Sequence, residues 1–375
     1  MRPNAPESGG ESADASAPGC SGDAEASAPV AAPDAGGGAE AACGDSAGRG
    51  LACGEAALGA LRVAAAQLGF SALGVAAPDA PQGETLRRWL QEGCHAGMSW
   101  MERHLEARLN PQLVLPGVRS VVMLTYEYAR EDAFRGGGHI ARYAQGEDYH
   151  KLLASKLADL DETLQFYGGH QRGFTDSGPI SERFFARLAG LGWLGRHGLL
   201  LRERGGSYCF LSSLLTTLEL PRSTPQPNRC GRCHRCEEAC PTGALRDGLC
   251  DARRCLSYWT IEAREPMPAS IESAQRERLY GCDICQEVCP WNRPRPAAER
   301  SLPPTDPHLL MPARLSGARR AELAALSDAD FEAFFRLSPI RRIGAEHWRR
   351  NLRGSCEEGG QGGSAPSAPA VPGPA

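Results

Sequence analysis

The sequence predicts an α+β protein, with an α/β domain over residues 55–220 followed by a ferredoxin-like domain over 221–300. Three observations predict it. Helix-like and strand-like patterns alternate from residue 55 to about 220, the pattern of helices laid on a sheet. Pro221, Pro225 and Pro227 then interrupt the chain as a linker. Beyond them, cysteines stand at spacings that ligate iron–sulfur clusters.

Residues 1–54 are mostly Ala, Gly, Ser and Pro with scattered acids. They hold too little apolar mass to offset the entropy of ordering, so a disordered tail is expected, and the same holds for 355–375. Cys20, Cys43 and Cys53 lie in or beside the first tail at no ligand spacing and read as incidental. In the α/β domain Leu58, Leu61, Ala65 and Leu68 recur at helical spacing, and a strand is expected over 70–76. A helix over 83–93 and a strongly apolar, β-favouring strand over 118–128 follow. Tyr149, Leu152, Leu153, Lys156, Leu157, Leu160 and Leu164 mark an amphipathic helix. Pro179 suits the first position of the next helix, with Ile180, Phe184, Leu188 and Leu191 as its buried stripe. Gly205-Gly206 reads as a hairpin turn into a strand over 208–211.

The totals set limits on function. A net charge of −4 implies no generic attraction to nucleic acid. Fifteen cysteines are many for a reducing compartment unless they bind metal. No apolar run approaches the ~18 residues of a membrane span. The N-terminus shows neither a basic start with a hydrophobic run nor a twin arginine, so a cytoplasmic location is expected, with no membrane partner.

Chemistry concentrates in Cys230-Gly-Arg-Cys233-His-Arg-Cys236-Glu-Glu-Ala-Cys240-Pro241, a C-x2-C-x2-C-x3-C-P run. In the bacterial-ferredoxin arrangement three of these thiolates hold one 4Fe–4S cluster and the fourth reaches a second. A structural zinc site or a disulfide framework does not account for that run. Cys282-Asp-Ile-Cys285-Gln-Glu-Val-Cys289-Pro290 repeats the motif with one cysteine fewer. Cys230, Cys233, Cys236 and Cys289 complete one cluster, while Cys240, Cys282 and Cys285 leave the other one thiolate short. Cys255 and Cys250 compete for that place. Cys255, at the start of an expected helix, is preferred over Cys250 in an expected turn, because rigid elements hold ligands better. One cluster beside a spare cysteine cage is the competing arrangement. Cys94, Cys209 and Cys356 have no assigned role.

Paired clusters carry electrons but do not say what is reduced. Four further stretches bear on that. They are Tyr143-Ala-Gln-Gly-Glu-Asp148-Tyr149-His150; Asp176-Ser177-Gly178-Pro179 with Gly192-Trp193-Leu194-Gly195-Arg196-His197; Gly206-Ser207-Tyr208; and Arg254-Cys255-Leu256-Ser257-Tyr258 within the cysteine set. In this order, over residues 55–353, the chain resembles the epoxyqueuosine reductases, cobalamin-dependent iron–sulfur enzymes of tRNA modification. The resemblance implies a cobalamin in the 55–220 domain, beside one of two 4Fe–4S clusters. It also implies reduction of the epoxide of epoxyqueuosine, at the tRNA wobble position, to the alkene of queuosine. Asp176 matches the family's proton donor, and the chemistry needs one: removing an epoxide oxygen takes two electrons and a proton to the departing oxygen. A helix-start carboxylate is the competing reading of Asp176.

By the same resemblance Tyr143, Asp176, Arg196, His197 and Ser207 are candidate cobalamin contacts, against a core aromatic and ordinary turn residues. Arg196 stands where the family has lysine; arginine serves there if only charge is needed, not if a proton must be lost. Neither D-x-H stretch, at His150 or at His308, is followed by the glycine of the D-x-H-x-x-G cobalt-ligating pattern, so no histidine ligand to cobalt is expected. The expected partners are the modified tRNA and an external flavodoxin- or ferredoxin-like electron donor, and the chain is expected to be a monomer. Residues 301–354 form a helical basic segment whose Arg341, Arg342, Arg349, Arg350 and Arg353 suit an RNA backbone or a solvated helix face. A reductive dehalogenase-like enzyme and a ferredoxin-type electron carrier are the alternatives; cobalamin binding would reject the second.

Overall fold

The computed structural model describes residues 47–79, 83–128, 131–293, 302–303 and 305–353, with side chains from residue 52 onward. Most of both expected tails, with Cys20, Cys43 and Cys356, lies outside the described residues.

Strand β2 (Ser120–Glu127) is buried along its whole length. Its sequence explains why: apolar residues occupy both sides of the pleat, so both faces need cover. It lies between β1 (Ala72–Ala76) and β7 (Cys209–Thr216), with β4 (Gln171–Phe174) beyond β7, in the order β1-β2-β7-β4. The short β3 (His139–Ile140), β5 (Trp193–Leu194) and β6 (Leu200–Leu201) stand outside this sheet. Every pairing in this sheet is antiparallel. That corrects the expectation of an α/β domain in the strict sense. Alternation of helix and strand along the chain does not fix strand direction, and here long excursions between strands return the chain antiparallel.

Helix α1 (Ala47–Gln67) and helix α2 (Tyr149–Gln165) cover one face. Leu58, Leu61, Leu153, Leu157 and Leu160 pack there on Val122, Leu124 and Tyr126. On the other face helix α3 (Glu182–Leu188) sets Phe185 and Ala186 against Val121, Met123 and Leu215. Two boundaries differ from expectation. α1 starts at Ala47, inside the stretch assigned to the tail, where an Ala-rich run has high helix propensity. α3 starts at Glu182, not at Pro179, because residues 175–181 form an irregular turn that places Asp176. Gly74 permits the close seat of α3's end on β1, since a Cβ there would lie 2.0 Å from the Ala189 carbonyl oxygen.

The cysteine-rich segment follows as short elements. Cys236 rides on helix α4 (Arg235–Glu238). Cys250 lies on the second strand of the hairpin Leu245–Arg246 and Leu249–Cys250, in strand pairing where a turn was expected. Cys255 sits at the N-cap of helix α5 (Leu256–Ile261), as expected. Cys285 rides on helix α6 (Ile284–Glu287). This segment is tied back to the first part of the chain: His139–Ile140 pairs in parallel with Arg278–Tyr280. Phe134 and Ile140 share a core with Tyr280, Phe331, Phe335, Trp348 and Leu352. No helix among the described residues is long and apolar enough to cross a membrane.

Candidate active site and cluster cysteines

Asp176 occupies the turn between β4 and α3 with φ at +59°, a left-handed conformation that non-glycine residues seldom take. Several contacts hold it there. Its Oδ2 accepts the Tyr149 hydroxyl at 2.7 Å, and its backbone N–H donates to Glu182 Oε1 at 2.9 Å. Next to it the hydroxyls of Thr175 and Ser212 are 2.7 Å apart, tying the turn to β7. Even so, the Asp176 side chain is 63% exposed. It caps no helix, since α3 begins six residues later, and the helix-start reading falls away.

Tyr149 is buried and stacks on Phe210, with ring centroids 3.9 Å apart. Burial, and then the negative charge of Asp176, push its phenol well above the ordinary range, so it remains a neutral donor to that carboxylate. His150 stacks on the outer side of Tyr149; its Nδ1 is 2.7 Å from Asp148 Oδ1 and its Nε2 is 3.9 Å from Asp176 Oδ2. Tyr143 meets Tyr149 edge-on at 6.3 Å. Beneath the turn, desolvation and the charge of Asp176 raise the Glu182 carboxyl well above the usual carboxylate range.

The other candidates lie in the Gly195–Gly198 turn and in the turn before β7. His197 is 4% exposed, and desolvation followed by the charge of Arg183 lowers it to about 4, so its imidazole is neutral. Its Nδ1 accepts the Leu199 N–H at 3.1 Å, which leaves the proton on Nε2. That Nε2 is buried without a hydrogen-bond partner among the described residues, as is the indole nitrogen of Trp193. Buried donors of this kind are costly unless a bound group meets them. Arg196 reaches Glu237 at 3.7 Å and Asp247 at 3.8 Å, both in the cysteine-rich segment. Ser207 is buried and engaged within the protein: its N–H donates to Asn292 Oδ1 at 2.7 Å and its hydroxyl to Gln286 Oε1 at 2.9 Å.

Several of the cysteines lie within interaction distance of one another. Cys289 packs with Cys230 and Trp193, and it interacts electrostatically with Cys230, Cys233 and Cys236. Cys285 interacts likewise with Cys282, Cys255 and Cys236. Cys250 and Cys255 share a hydrogen bond that raises Cys250 and lowers Cys255. Cys240 stands at the foot of the hairpin, its sulfur accepting the Ala244 N–H at 3.3 Å. Burial pushes the Cys236 and Cys282 thiols up to about 11. Thiols so placed are poor nucleophiles, but as convergent soft donors they fit iron.

Four of the five C-terminal arginines hold partners within the chain. Arg342 pairs with Glu262 at 2.7 Å, Arg341 with Glu332 and Arg349 with Asp328 at 2.5 Å each. Arg350 donates to the Ala263, Glu265 and Trp259 carbonyl oxygens.

A sheet domain with an exposed acid, followed by a cysteine-rich segment, fits the class of iron–sulfur oxidoreductases. A family model described as "4Fe-4S double cluster binding domain" matches residues 229–292, and one described as "Epoxyqueuosine reductase QueG, DUF1730" matches 108–177. The epoxyqueuosine reductase of Vibrio cholerae is 40% identical over 302 residues, covering 77% of this chain and 79% of that one. That of Gloeobacter violaceus is 41% identical over 310 residues, covering 78% and 93%. Among solved structures, an epoxyqueuosine reductase with an epoxyqueuosine-modified tRNA-Tyr stem loop aligns over 79% of each chain, at 28% identity and a TM-score of 0.71. The Bacillus subtilis enzyme with its catalytic aspartate loop swung out of the active site aligns at 28% identity and 0.69, again over 79% of each chain. The chain belongs to the epoxyqueuosine reductase family.

Proposed function

We propose that this protein reduces the epoxide of epoxyqueuosine, at the wobble position of tRNA, to the alkene of queuosine, using a cobalamin and two 4Fe–4S clusters. Cys230, Cys233, Cys236 and Cys289 hold one cluster; Cys240, Cys255, Cys282 and Cys285 hold the other. The observation that carries the reading is the exposed Asp176 carboxylate, held in a left-handed turn by a neutral Tyr149 phenol.

The overall change takes two electrons and two protons, with the oxygen leaving as water. An external flavodoxin- or ferredoxin-like donor supplies the electrons. A cobalamin, when bound, would supply the strongly reducing cobalt that such a reduction requires. Asp176 supplies one proton to the departing oxygen, and solvent supplies the second that completes the water. Tyr149 donates to Oδ2, so Oδ1 is the oxygen that carries the Asp176 proton, and the same phenol stabilises the carboxylate left behind. His197, whose Nε2–H has no partner among the described residues, and the adjacent Arg196 are suited to meet the corrin, as is Tyr143 beside Tyr149. Ser207 serves instead to join the sheet to the cysteine segment.

The test is turnover of epoxyqueuosine-containing tRNA by protein reconstituted with both clusters and cobalamin. Asp176→Asn is expected to cut kcat by about a hundredfold or more. Full turnover in that variant removes Asp176 from the mechanism, and no turnover in the wild type removes the assignment.

A further inference from the structure

Asp176 sits in a conformation that its own backbone does not favour, on a turn that is open to solvent. Tyr149 fixes the end of its side chain, but the backbone is fixed from elsewhere. Among the described residues, the acceptor for the Asp176 N–H is the Glu182 carboxyl, 2.9 Å away and six residues on, at the first position of α3. α3 itself is anchored, since Phe185 and Ala186 are fully buried against the sheet. Glu182 is therefore a fixed post, and Asp176 hangs from it.

We propose that Glu182 is the latch of the catalytic turn: it accepts the Asp176 N–H, holds the left-handed conformation, and so keeps the Asp176 carboxyl facing the reacting oxygen. The proposal rests on the role given to Asp176 above. Two further facts support it. A relative has been seen with its catalytic aspartate loop swung out of the active site, so a turn of this kind has an open state against which a latch would work. Also, the groups facing Glu182 are Asp176, Tyr149, Arg108 and Arg183, and burial followed by the Asp176 charge raises its carboxyl well above the usual carboxylate range. A neutral acceptor does not repel Asp176 once that residue has given up its proton, so the latch survives the step it serves. Glu182 is a positioning residue, since it acts through Asp176.

Glutamine retains a carbonyl oxygen at the same reach and alanine does not, so the pair separates the latch from mere packing. In cofactor-free protein, amide exchange of the peptide spanning 174–179 is expected to be roughly tenfold faster in Glu182→Ala than in the wild type, with Glu182→Gln close to the wild type. In the reconstituted enzyme, Glu182→Ala is expected to lose roughly tenfold in kcat with KM for tRNA little changed, and Glu182→Gln to recover most of it. Equal exchange in all three proteins overturns the latch, whatever the activity shows. So does an alanine variant as active as the glutamine one. The exchange measurement needs no turnover, so failure of the latch is distinguishable from failure of Asp176 as the proton donor, which Asp176→Asn reports separately.

Discussion

Arg202 and Glu127 are 4% and 5% exposed at the level of their side chains, and they face each other across the sheet interior. The guanidinium donates to Glu127 Oε1 at 2.5 Å and Oε2 at 3.1 Å, to Ser71 Oγ at 3.1 Å and, through Nε, to the Gly206 carbonyl at 3.3 Å. A pair so enclosed gains little over a hydrophobic replacement, yet removing one partner strands a charge. Glu127→Ala is therefore expected to destabilise the protein by about 3–5 kcal/mol, read as a fall in the thermal midpoint. The double variant Arg202→Met with Glu127→Leu is expected to regain most of that loss. Equal midpoints for the wild type and Glu127→Ala would show that the pair carries no such cost. Nothing local in the sequence announced this pair, because residues 75 positions apart meet only once β2 is laid beside the turn before β7. Asp176 was legible because a motif surrounds it. Its supports, Tyr149 and Glu182, were not: one was read as part of a helix stripe, and the other carried no reading.

At the scale of elements, the turn Gly205-Gly206 was legible as a turn, but what it docks was not. A Cβ on Gly206 would lie 2.0 Å from Asn292 Oδ1 and 2.8 Å from the Trp291 carbonyl oxygen, and its φ is +61°. The turn thus presses its backbone against the segment just after Cys289, and Ser207 completes the seam with Asn292 and Gln286. Gly206→Ala is expected to push that segment away, at a cost of about 1–3 kcal/mol from backbone strain plus the lost contacts. The check is iron per chain after reconstitution, which is expected to fall because Cys289 loses its seat; unchanged iron and an unchanged midpoint would show that the seam is dispensable. The strand order shows the same divide between local and distant information. Three of the four strands of the main sheet were foreseen in whole or in part, since β-favouring residues and burial are local properties, while Gln171–Phe174 carried no strand reading. Their antiparallel directions were not, since those follow from which faces are covered after the chain folds back.

Across the whole molecule, the strap over 131–144 is what joins the sheet to the cysteine segment and the C-terminal helices, and His139 stands at its centre. The ring, 14% exposed, has Nδ1 3.6 Å from Asp132 Oδ2 and Nε2 3.4 Å from Asp283 Oδ2. Glu287 adds to this field, while Arg142 pairs with both Asp283 and Glu287 from the next turn of chain. Desolvation alone would lower the imidazole, but the two aspartates outweigh it and raise it to about 9. The sign of the stability effect follows. Between the unfolded value of about 6.5 and the folded value of about 9, the folded state binds more protons than the unfolded chain, so raising pH through that window weakens the fold. The contribution is fully present below about 6.5 and is lost as pH rises through about 9, with an upper bound of about 3 kcal/mol. His139→Gln removes the titrating group while keeping a side chain that hydrogen-bonds. Urea midpoints at pH 6.5 and at pH 9 are therefore expected to converge: the wild type exceeds the variant at the lower pH, and most of that advantage is gone at the higher one. An advantage that stays constant between the two pH values would mean that His139 is not held as an imidazolium, and that the strap is pinned by its strand pairing and apolar core alone.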